Sequence, residues 1–236
     1  MSWIAGPLVG FDLETTGTDV ETDRIVTAAV VRLEREGALS EERTWLLDPG
    51  LSIPQQATAV HGISTDYARS HGVPAASAIE EIAHAIAEVL RCGTPLVVMN
   101  ARYDLTLLDR ECLRHGIDSI ADRLRMSPSP IIDPLVLDKY VDRRRRGRRT
   151  LQALCSHYGI SLNDAHNASA DAQAAVRVAR RMGEMHISVG EMDSKDMHAL
   201  QKRAAVGQSK ELQEYLRRKN PVAVVESEWP IIPRQI

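Results

Sequence analysis

Aromatic side chains are scarce in this 236-residue chain: one Phe, three Trp and five Tyr, 4% of the residues. So small a supply argues against a surface that works by extensive stacking on bases. Cysteine is sparse too. Cys92, Cys112 and Cys155 stand apart with no CxxC spacing, which argues against a disulfide framework or a cysteine zinc site and fits a reducing compartment. No apolar run approaches the roughly 18 residues of a membrane span. Met1-Ser-Trp-Ile4 lacks the basic and apolar regions of a leader peptide, so the expectation is a cytoplasmic protein with no membrane partner. Nor is there a strong charge of one sign. With 29 Lys and Arg against 32 Asp and Glu, the net charge is −3. A polyanionic partner would have to be held by a local patch or through a cation.

What the chain does have is Val9-Gly-Phe-Asp-Leu-Glu-Thr-Thr-Gly17. An apolar lead-in from Leu8 predicts a buried strand. Residues two apart on a strand share a face, so Asp12 and Glu14 stand together while Phe11 and Leu13 take the other side. Two carboxylates that close repel, and a shared proton or a bound cation must offset the repulsion. Oxygen-only ligands suit hard ions such as Mg²⁺ or Mn²⁺.

The remaining pattern predicts strands over 25–32 and 43–47, then an irregular stretch over 55–74 containing Val60-His61-Gly62-Ile63. Ala78 to Leu90 repeats its apolar residues at helical spacing, Leu96 to Met99 reads as a buried strand, and Asn100 opens a helix with Asp104 in its first turn. Ile131 to Asp133 is a short strand. Pro134 starts a helix to about Val141, and Thr150 caps another to Tyr158. A polar link begins at Asp164, and Ser169 is expected to cap a long helix carrying Asp171. Two charged helices, 196–206 and 209–219, and an extended tail complete the chain. This order predicts an α/β fold, a mixed sheet flanked by helices with a helical C-terminal extension, divided as 1–183 and 184–236.

Four acids and a histidine thereby come forward, and the segments that hold them resemble the DEDD 3′→5′ exonucleases in their histidine-containing (DEDDh) subgroup. Phe11-Asp-Leu-Glu-Thr-Thr-Gly17 is similar to the family's first motif, and Met99-Asn-Ala-Arg-Tyr-Asp104 to its second. His166-Asn-Ala-Ser-Ala-Asp171-Ala172 is similar to its third. Met99 and Tyr103 depart from the usual His and Phe. The proofreading subunit of bacterial DNA polymerase III is a member of the same family. The resemblance implies a ribonuclease H-like sheet and two divalent ions, Mg²⁺ or Mn²⁺, held by Asp12, Glu14, Asp104 and Asp171. It also implies His166 as general base, with Thr15, Thr16, His61 and Asn100 as substrate contacts.

The expected reaction is hydrolysis of DNA from single-stranded 3′ ends, releasing nucleoside monophosphates, with a DNA polymerase as a candidate partner. Two readings stay open beside it: an exoribonuclease on short RNA or tRNA ends, and a polymerase-associated nucleic-acid-binding module. The six arginines within 143–149 fit either a solvated loop or a grip on phosphates.

Overall fold

The computed structural model describes residues 1–162 and 165–234, so Asp164 of the expected polar link lies outside the described residues. Three long antiparallel strands build the heart of the sheet: β1 (Leu8–Thr15), β2 (Ile25–Leu33) and β3 (Leu39–Asp48). Two short helices follow, α1 (Gln55–His61) and α2 (Thr65–His71), then β4 (Val73–Pro74) and α3 (Ala75–Arg91). Next come β5 (Leu96–Val97), α4 (Ala101–His115), α5 (Ile120–Leu124), β6 (Ile131–Ile132) and α6 (Pro134–Val141). The chain continues through α7 (Leu151–Tyr158), α8 (Ala168–Met185), α9 (Ile187–Gly190) and α10 (Ser194–Arg217). The six strands lie in the order β4-β3-β2-β1-β5-β6. β5 runs parallel to β1 and β6 parallel to β5, so the sheet is mixed as expected.

Alternation along β1 decides what each face meets. Val9, Phe11 and Leu13 enter the core formed with α3 and α4. Gly10, Asp12 and Glu14 take the opposite face, against α8. A Cβ on Gly10 would lie 2.5 Å from the Ala172 carbonyl oxygen and 2.9 Å from Val176 Cγ2. This close approach brings the first turn of α8, with Asp171, alongside Asp12. Gly10→Ala should therefore cost about 1–3 kcal/mol of stability, because helix backbone cannot step aside as a side chain could. Urea unfolding measures it, and a stability equal to wild type would contradict the tight α8 contact.

Three expectations are corrected. The stretch 55–74 holds α1, α2 and β4 rather than irregular chain: α1 buries none of its residues and α2 only Ala68, so periodicity had no apolar face to report. Their ends are marked instead by Ser64, which accepts from the Tyr67 amide, and by Gly62 at φ 78°. The cap of α8 is Asn167, whose side chain accepts from the Ser169 and Ala170 amides, and not Ser169. The two charged C-terminal helices are one, α10, uninterrupted at Gly207.

The C-terminal segment shares the main core. Ala205 and Trp229 pack in the cluster that contains Phe11 and Leu105. The tail is strapped along α4, where Arg234 pairs with Asp109 at 2.9 Å and the Ile232 amide donates to Thr106 Oγ1 at 2.9 Å. Leu212, Tyr215 and Leu216 of α10 stay exposed. Among the described residues, no helix is long and apolar enough to cross a membrane.

Candidate active site

The end of β1, the start of α4 and the start of α8 converge. Register places Gly10 beside Val97, so β5 ends and α4 begins close to the level of Asp12. Asp12 keeps part of its surface open, whereas Asp104 is 4% exposed. Burial, and then the charges of Asp104, Asp171 and Glu14, hold the Asp12 carboxyl well above the ordinary carboxylate range. Burial likewise pushes Asp104 well up, with Asp133 and Glu14 adding to it. The Glu14 carboxyl is raised from 4.5 to about 7 by burial and by Asp171. The four acids expected to act together are thus within electrostatic reach of one another, and none makes an ion pair among the described residues.

His166 is held by unusual backbone. Its φ is 69°, a left-handed conformation that few residues other than glycine adopt. In that geometry its amide donates to Asp171 Oδ2 at 3.2 Å. Burial raises the Asp171 carboxyl, and the His166 amide and ring oppose that rise. Ligand atoms of Glu14, His166 and Asp171 all lie within 4.8 Å of one another, and Asp171 Oδ1 is buried without a hydrogen-bond partner among the described residues. A buried, unpartnered carboxylate oxygen beside further acids fits a divalent cation.

The other four candidate residues are placed differently. Thr15 and Tyr103 hydroxyls lie 2.8 Å apart and both donate to the Gly17 carbonyl, which ties the first-motif turn to α4. Thr16 is buried; its hydroxyl donates to Asp23 Oδ1 at 2.7 Å and accepts from the Arg24 amide. His61 ends α1 near the Thr15 backbone and His166, with its Nε2 buried and unpartnered among the described residues. Burial holds its pKa below the usual histidine value; the Thr15 carbonyl opposes this shift and the His166 charge adds to it. Asn100 is exposed at φ 62°, opening α4 without a side-chain cap.

Sequence reasoning passed over Asp133. It is 1% exposed and accepts from the amides of Asn100 (3.1 Å), Ala101 (3.0 Å) and Leu135 (2.9 Å), and from the Trp229 indole (3.3 Å). One carboxylate therefore pins the start of the helix that presents Asp104 and caps α6 as well. The Asp-Pro pair at 133–134 is the local signal for the cap, but the reach to α4 and Trp229 has no sequence counterpart. Asp138 was passed over too. This fully buried acid pairs with Arg145 at 2.9 Å and with Arg149, and accepts from the Tyr158 hydroxyl at 2.8 Å. Two of the six arginines are thereby structural, while Arg143, Arg144, Arg146 and Arg148 are exposed.

Several known proteins are similar to this chain. The DNA polymerase III PolC-type of Lacticaseibacillus paracasei is 27% identical over 166 residues, 70% of this chain and 10% of that protein. Its counterpart in Clostridium perfringens is 26% identical over 170 residues, 72% of this chain and 11% of that one. The chain thus spans about a tenth of these curated relatives. Among solved structures, Exonuclease I from Methylocaldum szegediense superposes with a TM-score of 0.64 at 26% identity, covering 78% of this chain and 42% of that one. E. coli Exonuclease I with a dA16 oligonucleotide gives a TM-score of 0.65 at 22% identity, with the same coverage. The profile of the RNase_T family, described as "Exonuclease", matches residues 9–179. That span runs from β1 into α8 and encloses all four motif carboxylates, so the chain belongs to the RNase_T exonuclease family.

Proposed function

We propose that this chain is a 3′→5′ exonuclease that uses two divalent ions, Mg²⁺ or Mn²⁺, to hydrolyse DNA from single-stranded ends and release nucleoside monophosphates. One observation carries the reading: Asp12, Glu14, Asp104 and Asp171 crowd together with no counter-cation of the chain among the described residues. At neutral pH such a group needs protons or cations between its members. The all-carboxylate set favours a hard ion over a soft one. When bound, the ions supply Lewis acidity at the phosphate and ease ionisation of water.

The chain's own residues do the rest. Asp12, nearest to the other three in charge, holds the centre of the site. His166, exposed at the rim and within reach of Glu14 and Asp171, accepts the proton of the attacking water. His61 Nε2, the Thr15 turn and Asn100 remain as contacts for the terminal nucleotide, and the Thr16 hydroxyl shapes the turn beneath it.

The solved E. coli Exonuclease I–DNA complex with zinc supports a cation beside a single strand. The polymerase relatives support a DNA polymerase as partner. Residues 1–183 form the catalytic unit in this proposal, with 184–236 docked on it. Incubating 5′-labelled DNA and RNA oligomers with Mg²⁺ or Mn²⁺ tests the reaction. A DNA ladder shortening from the 3′ end, absent in EDTA, is expected. Faster shortening of RNA would favour the exoribonuclease reading, and no shortening of either would overturn the proposal.

Replacing Arg144, Arg146 and Arg148 together with Ala should raise KM for long oligomers about threefold to tenfold and flatten its salt dependence, because a strand with fewer phosphates neutralised releases fewer counterions on binding. Arg145 is left in place because Asp138 needs it. An unchanged salt slope would make the exposed arginines a solvated loop.

A further inference from the structure

We infer that the groove between α6 and α10 is a second phosphate-binding subsite, built partly by the C-terminal segment, that holds the strand upstream of the terminal nucleotide. The inference rests on the exonuclease reading. The groove has a volume of about 680 Å³ and opens beside Asn100, the residue from which α4 carries Asp104 into the site. Its walls present Arg102 at the start of α4, Lys139 and Arg143 from the α6 side, and Glu211 and Leu212 from α10. α10 lies beyond the family match at residue 179, so this wall is an addition to the shared domain.

Charge decides what the groove takes. Arg143 reaches across the groove to Glu211, at 2.5 Å, and each satisfies the other. Asp133 at the floor is committed to backbone amides and the Trp229 indole. Arg102 and Lys139 are left half-buried with no ion pair among the described residues. Arg102 Nε is buried without a partner among the described residues, while its Nη2 donates to Ser209 Oγ at 3.1 Å and to the Ser227 carbonyl at 3.5 Å. Asp133, and less strongly Glu226 and Glu228, lie within electrostatic range of Arg102, yet burial outweighs them and its pKa is lowered. Burial lowers the Lys139 ammonium as well; Asp133 and Asp138 oppose this shift, and Arg149 and Arg102 add to it. Two like charges, partly stripped of water, held to one cavity and offset only in part by Asp133, favour a further anion beside them.

Tyr140 supplies the second half of the recognition. It lines the same groove and is 50% exposed, next in sequence to Lys139. A backbone phosphate against Lys139 and Arg102 would place a neighbouring base over the Tyr140 ring, with Leu212 opposite. A cation beside an exposed ring is the recurring unit of single-strand binding grooves. A free nucleotide shares the phosphate chemistry but not the chain length, and the length of the oligomer separates the two.

The test measures binding without turnover. Anisotropy of 5′-labelled single-stranded DNA in EDTA is compared for a 12-mer and a dinucleotide, with wild type, Lys139→Glu and Tyr140→Ala. Lys139→Glu should weaken the 12-mer about tenfold or more and lower its log–log salt slope by about 0.7 or more, the value for one neutralised phosphate of a single strand. Dinucleotide binding should stay unchanged in both variants. A 12-mer carrying 5-iododeoxyuridine three residues from its 3′ end should photo-cross-link to Tyr140. Wild-type affinity and salt slope in Lys139→Glu, or cross-links only elsewhere, would overturn the subsite. Equal weakening of dinucleotide and 12-mer would assign the groove to free nucleotides instead. Should Lys139→Glu fail to fold, a 12-mer bound as tightly by Tyr140→Ala as by wild type, or no wild-type cross-link at Tyr140, would overturn the subsite. Absence of hydrolysis by wild type would fail the exonuclease reading alone, since none of these readouts needs cleavage.

Discussion

Asp12→Asn is expected to abolish hydrolysis, by at least about 10³-fold or roughly 4 kcal/mol of barrier, while the metal-free chain becomes more stable at neutral pH. The substitution keeps the shape of the side chain and removes the charge around which Asp104, Asp171 and Glu14 crowd. The pH dependence has a definite sign. These acids have folded-state pKa values above their unfolded ones, so the folded chain retains protons that the unfolded chain has released. Metal-free stability from this cluster is therefore highest below the unfolded values and falls as pH rises through the folded ones. Glu14 fixes part of the window, from 4.5 to about 7. The stability of Asp12→Asn minus that of wild type, followed by urea unfolding in EDTA, should grow across that interval. A difference that is flat or shrinking with pH would mean that the acids do not repel one another.

His166→Gln should lower turnover by about 10² to 10⁴, with divalent-ion binding and KM nearly unchanged. Glutamine keeps a polar group of similar reach and cannot take up a proton. The backbone contact to Asp171 comes from the residue 166 amide, not the ring, so the substitution leaves that carboxylate oriented. Turnover like wild type at pH 7 would exclude the ring as base. A loss of metal affinity matching the loss of turnover would instead make the imidazole a ligand, which the 4.8 Å grouping with Glu14 and Asp171 allows.

How much of this was legible in the chain follows from the range of the forces involved. Alternation alone puts Asp12 and Glu14 on one face, because the strand period is local and Phe11 and Leu13 claim the other side. The helices bearing Asp104 and Asp171 were visible for the same reason: α3, α4 and α8 each bury an apolar face. α1 has no such face and escaped notice although it carries His61. Asp133 escaped because Ala101 and Trp229 lie far along the chain, and Asp138 because an acid in sequence gives no sign of whether its partners are backbone amides or arginines. The arginine run shows the limit most clearly. Six like residues look equivalent in sequence, yet one buried carboxylate sorts Arg145 and Arg149 from the exposed remainder.

The claim on which everything else depends is that the four carboxylates are a cage for cations. Calorimetric titration of the metal-free chain with Mn²⁺, in wild type and in Asp12→Asn, measures this without substrate or turnover. The expected result is about two ions bound per wild-type chain, with release of protons from the raised carboxyls, and binding lost or weakened at least about tenfold in the variant. Equal binding by both proteins, or none by wild type in the millimolar range, would contradict it.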